Sequence, residues 1–184
     1  ARLQALGVPL KRVHSIVVTH SHPDHFGGAA RLRAATGADI ITHQSFRLWF
    51  DPNEPDDVDV EIAARHKRGT GETPWGGPGY QLPFRRKMYY NAFRVLPQLF
   101  KVPQPTVRLA EGEYISLARR KWMAIHTPGH TEDHLCLFDA DTGVMLCGDH
   151  VLPTITPHIS GMSKHPDPLE GFFNSLDKVG AFGS

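Results

Sequence analysis

The sequence has few of the features that mark a secreted, membrane-spanning or nucleic-acid-binding protein. Its 184 residues include two cysteines, Cys136 and Cys147, too few for a disulfide framework. No run reaches the ~18 consecutive apolar residues of a transmembrane helix, so no membrane partner is expected. The formal net charge is +1, and bulk electrostatics therefore favour no nucleic-acid partner. Both cysteines lie in apolar runs, which predicts buried free thiols and a cytoplasmic location.

Histidine stands out among the residues that are present, because the chain has twelve, several of them in tight clusters. The first cluster, His20-Ser21-His22-Pro23-Asp24-His25, follows a β-branched apolar run over residues 13–19 that predicts a buried strand. In extended backbone the rings of His20 and His22 point to the same side, with Cα atoms about 6–7 Å apart, and can share one metal ion. Pro23 then turns the chain and brings Asp24 and His25 toward a second position. Three imidazoles and one carboxylate suit Zn²⁺, with Fe or Mn as alternatives.

A second cluster lies past the middle of the chain, over residues 126–134. Pro128-Gly129 predicts a tight turn that presents His130 inward. Farther on, an apolar run over residues 144–147 ends at Gly148-Asp149, and a carboxylate at such a strand end can bridge two metal ions. The other histidines are assigned supporting or structural places: His126 and His134 as candidates for orienting His130 or Asp149, His150 as packing or approaching substrate, and His14, His43 and His66 as structural or exposed.

The order of the predicted elements indicates an α/β protein. A strand over residues 13–19, a helix that follows Gly27-Gly28 and ends at Gly37, and a strand over residues 38–42 form an opening strand–helix–strand unit. After Pro103 the pattern turns to strands, and Asp167 is the expected N-cap of a final helix. The strands are predicted over residues 106–109, 114–117, 122–126, 134–138 and 144–147, the final helix over 169–179, and further helices over 45–50 and 56–67.

Residues 69–103 are predicted to form an insertion in a single domain that spans residues 1–184. Its first half is rich in glycine and proline, and its second half, residues 84–100, has apolar residues at helical spacing. One interpretation is a packed helix, at the surface of the domain or at the interface of a homodimer. The other is a lid that places Trp75, Tyr80, Phe84 and Tyr89 at the wall or mouth of a pocket.

Taken in order, three runs resemble the motifs of the metallo-β-lactamase superfamily. They are His20-Ser21-His22-Pro23-Asp24-His25, Thr127-Pro128-Gly129-His130-Thr131 and Gly148-Asp149. The resemblance spans roughly residues 13–179 and is nearer to the glyoxalase II-type and lactonase-type hydrolases than to the true β-lactamases. It implies an αββα sandwich. Relatives of this kind have strands before the first motif and one more His ligand beyond the bridging Asp, so we expect a core that is incomplete at both ends.

The resemblance also implies two divalent metal ions, with Zn²⁺ favoured and Fe or Mn as alternatives. His20, His22 and His130 would hold the first metal, Asp24 and His25 the second, and Asp149 would bridge both. Two cations that share a water lower its pKa from about 15.7 toward about 7 and make hydroxide available at neutral pH. Asp24 is the expected catalytic residue, which orients the nucleophile and passes its proton to the leaving group. The expected partner is a small-molecule substrate with an ester, thioester or lactone bond.

Three other functions stay open at this point. A phosphodiesterase or ribonuclease of the same superfamily would need a basic nucleic-acid track, which the small net charge does not supply. A redox member with two irons would usually have Glu in place of His22. The last alternative is a catalytically silent metal-binding domain.

Overall fold

The computed structural model describes residues 2–48, 102–159 and 167–182, together with positions 84, 85, 88 and 92. The chain divides into two compact units, residues 1–46 with 103–184 and residues 47–102. In the second unit, positions 84, 85, 88 and 92 are helical, as expected for the helix over residues 84–100. Five predictions lie outside the described residues: the helix over 56–67, the place of His66, and the pocket positions of Trp75, Tyr80 and Tyr89.

The first unit opens with short helical turns and a three-stranded parallel sheet. Helix α1 (Arg2–Ala5) and a 3₁₀ turn (Leu10–Arg12) precede strand β1 (Ser15–Val17). Helices α2 (Pro23–Phe26) and α3 (Ala29–Thr36) then lead to β2 (Asp39–His43), and α3 ends at Gly37, whose φ of 72° is the left-handed C-cap conformation. Strand β3 (Val107–Leu109) completes the sheet in the order β1-β2-β3. The predicted strand–helix–strand unit is therefore confirmed.

The second sheet has four antiparallel strands in the order β4-β5-β6-β7. They are β4 (Tyr114–Leu117), β5 (Arg120–His126), β6 (Leu135–Asp139) and β7 (Val144–Leu146). Because neighbouring strands run in opposite directions, the end of β5, the start of β6 and the end of β7 meet at one edge of the sheet. Both cysteines are free thiols, as expected; Cys136 is buried and Cys147 is half-buried.

The two sheets share one apolar core. Its buried side chains come from the first sheet, through Ile41 and Leu109, and from the second, through Trp122, Ala124, Leu135 and Leu137. The final helix, α4 (Pro168–Gly180), begins as expected at Asp167, whose side chain accepts hydrogen bonds from the backbone N–H groups of Leu169 and Glu170. Across the part of the chain that the structure describes, every helix is too short or too polar to cross a bilayer.

The helix predicted over residues 45–50 is wrong for its described part, residues 45–48, which form a turn and then irregular backbone. Phe46 N–H donates to the carbonyl of His43 at 3.0 Å, which closes the turn. The Arg108 guanidinium donates to the carbonyls of Gln44 at 3.0 Å and Phe46 at 2.8 Å. Since Arg108 comes from the neighbouring strand β3, a contact distant in sequence determines the backbone here.

Candidate metal centre

Three imidazole rings converge beyond the ends of β1 and β5. His20 and His22 follow β1, and His130 follows β5 after the turn at Pro128-Gly129. His20 Nε2 and His130 Nε2 each lie 3.0 Å from His22 Nδ1. The three facing nitrogens all lie within 4.8 Å of one another, and His20 and His130 are 0% and 5% exposed. The structure thus brings together residues from two distant motifs in a buried, nitrogen-rich corner.

The three facing nitrogens cannot all be paired by hydrogen bonds to one another, because too few of them carry a proton. His130 Nδ1–H donates to the carbonyl of His158 at 2.7 Å, so the neutral ring presents a lone pair at Nε2. A single proton on His22 Nδ1 can serve only one of the two Nε2 atoms that face it. Nitrogens around a tetrahedral Zn²⁺ at 2.0–2.1 Å would lie about 3.3 Å apart, close to the distances seen here. Both the donor set and its spacing therefore fit a divalent metal ion.

A second group of ligand atoms adjoins the first and consists of His20, His25 and Asp149, again within 4.8 Å of one another. Asp149 Oδ2 lies 3.2 Å from His25 Nε2 and 3.7 Å from His130 Nε2, so this carboxylate stands between the two groups. The side chains of His25 and Asp149 are each 26% exposed, which leaves this part of the site open to solvent.

Asp24 lies at the outer rim of the site. Its Oδ2 is 3.6 Å from His25 Nε2, its side chain is 79% exposed, and it belongs to neither group of ligand atoms. His22 is the N-cap of α2 and Pro23 its first residue, so Asp24 falls in the first helical turn, beside the exposed N-terminal end. Its roles as a ligand of the second metal and as the catalytic residue stay predictions.

The arrangement of these side chains agrees with a match of the sequence to a known family. A family model described as the Metallo-beta-lactamase superfamily matches residues 1–180. The chain belongs to this superfamily. Members of the superfamily bind divalent metals. The residues of both groups of ligand atoms come from the three motifs on which the resemblance rests. The mixed α/β fold that the resemblance implied is confirmed.

Individual members of this superfamily are similar to the chain at low sequence identity. The chain is 27% identical over 150 residues to a hydroxyacylglutathione hydrolase of Albidiferax ferrireducens, covering 80% of this chain and 36% of the relative. It is 27% identical over 181 residues to the atrochrysone carboxyl ACP thioesterase of Passalora fulva, covering 97% and 37%. The crystal structure of a metallo-beta-lactamase family protein from Thermus thermophilus matches with a TM-score of 0.72 and 24% identity, over 99% of this chain and 56% of that one. The chain thus spans little more than a third of the two curated relatives.

Burial keeps two imidazoles of this superfamily site, those of His20 and His22, neutral. It lowers the pKa of His20 to about 2, with the neighbouring histidines adding to the effect. Burial also lowers the pKa of His22, with His130 adding and Asp24 opposing. Since a metal binds the neutral ring through its lone pair, the site holds these nitrogens in the form that coordination requires.

The two histidines that flank the turn have different partners. The buried ring of His134 lies between Thr127 Oγ1, 2.7 Å from Nδ1, and the backbone nitrogen of Asp149, 3.1 Å from Nε2. His126 Nε2–H instead donates to the carbonyl of Glu132 at 2.6 Å, and its ring stacks on that of His43 at 3.9 Å. Of the two predicted orienting residues, His134 therefore contacts Asp149, while His126 belongs to a separate stacked pair.

The other described histidines largely occupy the structural or exposed places that the sequence predicts. His14 is exposed, His43 is buried, and the buried ring of His150 packs against that of Phe172 with centroids 5.0 Å apart.

Sequence reasoning missed Asp133, which is 4% exposed and accepts a hydrogen bond from Ser21 Oγ at 3.2 Å. Burial raises the pKa of Asp133 to about 6. A single acid in a polar loop gives no periodic signal of burial, so only the cross-loop contact reveals it.

Proposed function

We propose that this chain carries the metal-binding core of a hydrolase that releases an acyl group from a small-molecule thioester, ester or lactone. The observation that carries the proposal is the pair of adjoining ligand groups, with three imidazole nitrogens in one and Asp149 beside both. Such a site needs no serine or cysteine nucleophile, because water is the nucleophile in metal-assisted hydrolysis.

His20, His22 and His130 would hold one metal through Nε2, Nδ1 and Nε2, the atoms that face one another. His25 and Asp149, with Asp24 from the rim, would hold the second. When bound, two divalent metals supply Lewis acidity that activates water and polarises the carbonyl under attack. Zn²⁺ is the favoured metal from the donor set, and Fe or Mn are the alternatives.

Other residues of the chain orient the metal-binding side chains, and one residue can transfer the proton of the attacking water. The carbonyl of His158 accepts a hydrogen bond from Nδ1–H of His130 and so orients that ring from outside the cluster. The exposed carboxylate of Asp24 lies on the solvent side of His25, where it can accept a proton from incoming water and return it to the leaving group. The open rim at Asp24, His25 and Asp149 is the expected approach for substrate.

The preference for an acyl substrate is supported by the relatives' names, one a hydroxyacylglutathione hydrolase and another an atrochrysone carboxyl ACP thioesterase. Both names describe an acyl group attached to a carrier. A homodimer and a cytoplasmic location remain predictions from the sequence, as does the single-domain arrangement with its insertion.

A substrate panel on the purified full chain tests the proposal. Metal content is measured by mass spectrometry, and hydrolysis is followed with acyl-glutathione and acyl-coenzyme A thioesters, a lactone and a phosphodiester. We expect bound divalent metal and turnover of at least one acyl substrate that a chelator abolishes. Turnover of the phosphodiester alone would favour the nuclease-type alternative, and bound metal without turnover of any substrate would favour a catalytically silent domain.

A further inference from the structure

Asp149 follows the short strand β7, and its backbone is fixed by a contact from the residue that precedes another strand. The Asp149 N–H donates to Nε2 of His134 at 3.1 Å. His134 directly precedes β6 and is 0% exposed. This contact joins the start of β6 to the residue that stands between the two groups of ligand atoms.

The hydrogen bonds of His134 determine which of its nitrogens carries the proton. A backbone N–H can only donate, so Nε2 of His134 must accept and cannot carry a hydrogen. The neutral ring then has its proton on Nδ1, which lies 2.7 Å from Thr127 Oγ1 and donates to it. Thr127 is itself 0% exposed and donates its backbone N–H to the carbonyl of His134 at 2.9 Å. Thr127 thus holds His134 through both its ring and its backbone.

The glycine before Asp149 allows the ring to come this close. Gly148 has a φ of 52°, and a Cβ at this position would lie 2.7 Å from His134 Nε2 and 3.1 Å from the Thr19 Cβ. The backbone at 148–149 therefore lies directly on the imidazole, and no side chain separates them. The ring of His134 also lies beside that of His20, with centroids 5.1 Å apart, so it contacts both halves of the candidate metal centre.

We propose that His134 is a positioning residue for Asp149, and that Thr127 holds its ring as the Nδ1–H form, with Nε2 accepting the Asp149 amide hydrogen. The ring belongs to neither group of ligand atoms and acts by setting where the Asp149 carboxylate meets His25 and His130. The inference rests on the proposed metal centre. It differs from that proposal in assigning His134 an effect that is largest at the second metal position, where Asp149 is one of few ligands.

The first test reads the ring directly. Long-range ¹H–¹⁵N correlation spectra of the ¹⁵N-labelled full chain, as purified with zinc, report which nitrogen of each histidine carries a proton, and His134→Gln identifies the His134 signals. We expect His134 in the Nδ1–H form. A proton on Nε2 would overturn the inference, and this result does not depend on how much zinc the chain holds.

The second test measures metal affinity with Co²⁺, whose absorption follows each added equivalent. His134→Leu removes the acceptor, His134→Gln retains an amide oxygen that can accept the Asp149 N–H, and His14→Leu is the matched change at an exposed histidine. We expect His134→Leu to weaken the second equivalent about 10–100-fold and the first, which keeps its three imidazole ligands, much less. His134→Gln should restore part of the loss, and His14→Leu should change neither.

A further variant keeps the test decisive if His134→Leu does not fold. Thr127→Val preserves shape and removes the hydroxyl that accepts from Nδ1, so it should weaken the second equivalent in the same direction and by less. Equal weakening of both equivalents, or an unchanged second equivalent in Thr127→Val and in the folded His134 variants, would overturn the positioning role. If the unmodified chain takes up no Co²⁺ or Zn²⁺, the proposed function fails, whatever the ring spectra show.

Discussion

Gly129 occupies a position where a side chain would be obstructed by both backbone and neighbours. Its φ is 136°, and a Cβ would lie 2.5 Å from Cα and Cβ of Phe172 in α4. We predict that Gly129→Ala lowers the free energy of unfolding by about 2–4 kcal/mol, from backbone strain and overpacking together. Urea unfolding measures the loss.

Gly112 provides the matched control for that substitution. It also has a positive φ, 77°, but an added Cβ would meet nothing within 4 Å. Gly112→Ala should therefore cost only the backbone strain, about 1–2 kcal/mol. Equal losses in the two variants would mean that contact with α4 does not constrain Gly129.

Asp24 is the residue on which the proposed proton transfer depends. Because it lies at the exposed rim, outside the three facing imidazoles, its removal should leave the first metal in place. We predict that Asp24→Ala lowers kcat by about 10²–10⁴-fold, the usual contribution of a general acid–base group. Steady-state kinetics on the best acyl substrate, with metal content measured in parallel, would reveal this. Near-normal turnover would remove Asp24 from the mechanism.

At the residue scale, local motifs predict which side chains meet, but not how they are held. The spacing of His20 and His22 and the turn before His130 indicated a shared site, and their facing nitrogens do lie together. The carbonyl of His158, which orients His130, could not be predicted, because any backbone carbonyl can accept and only the path of the chain decides which one does.

Helix α4 begins at a cap that can be tested at the scale of one element. Asp167 Oδ1 accepts from the N–H groups of Leu169 and Glu170, each at 3.0 Å, and thereby satisfies two donors that have no partner within the helix. We predict that Asp167→Ala lowers the free energy of unfolding by about 1 kcal/mol. Asp167→Asn, which retains an acceptor oxygen, should lose much less in the same chemical denaturation experiment. A similar loss in both variants would mean that the side-chain charge, and not the cap, stabilises the helix.

Elements with strong local signals were predictable, and those shaped by distant contacts were not. Gly37 and Asp167 bound helices where capping chemistry places the ends, and the strands of both sheets lie within two residues of their predicted limits. The helix expected from residue 45 fails because Arg108 binds carbonyls of this segment from the neighbouring strand. Such a cross-strand contact leaves no periodic signal in the sequence.

At the scale of the whole molecule, the candidate site is made by the meeting of two sheets. The parallel sheet contributes His20 and His22 beyond β1, and the antiparallel sheet contributes His130 beyond β5 and Asp149 beyond β7. Leu135 N–H donates to the Thr19 carbonyl at 2.8 Å, which ties the start of β6 to the first motif. The order of the motifs indicated this arrangement only through resemblance, since strand order and sheet contact cannot be read from spacing.

The stability of the whole molecule should depend on pH through the buried His43. Its pKa is lowered from 6.5 to about 4, first by burial and then by two facing groups, His126, which stacks on the ring, and Lys178 of α4. Between these two values the unfolded chain binds a proton that the folded chain does not, so protonation favours unfolding as pH falls. The contribution of His43 is fully present above pH 6.5 and is lost as the pH falls toward 4. From pH 7 to pH 5 this amounts to about 2 kcal/mol.

His43→Leu isolates this contribution from those of the other histidines. The variant cannot gain a proton at this position in either state, so its loss of unfolding free energy between pH 7 and pH 5 should be smaller than that of the unmodified chain by about 2 kcal/mol. Denaturant unfolding at both pH values gives the two differences, and the exposed His14→Leu supplies the control, with an unchanged pH dependence. An identical pH dependence in His43→Leu and the unmodified chain would show that the His43–His126 stack accepts a proton without cost, against the burial that the structure shows.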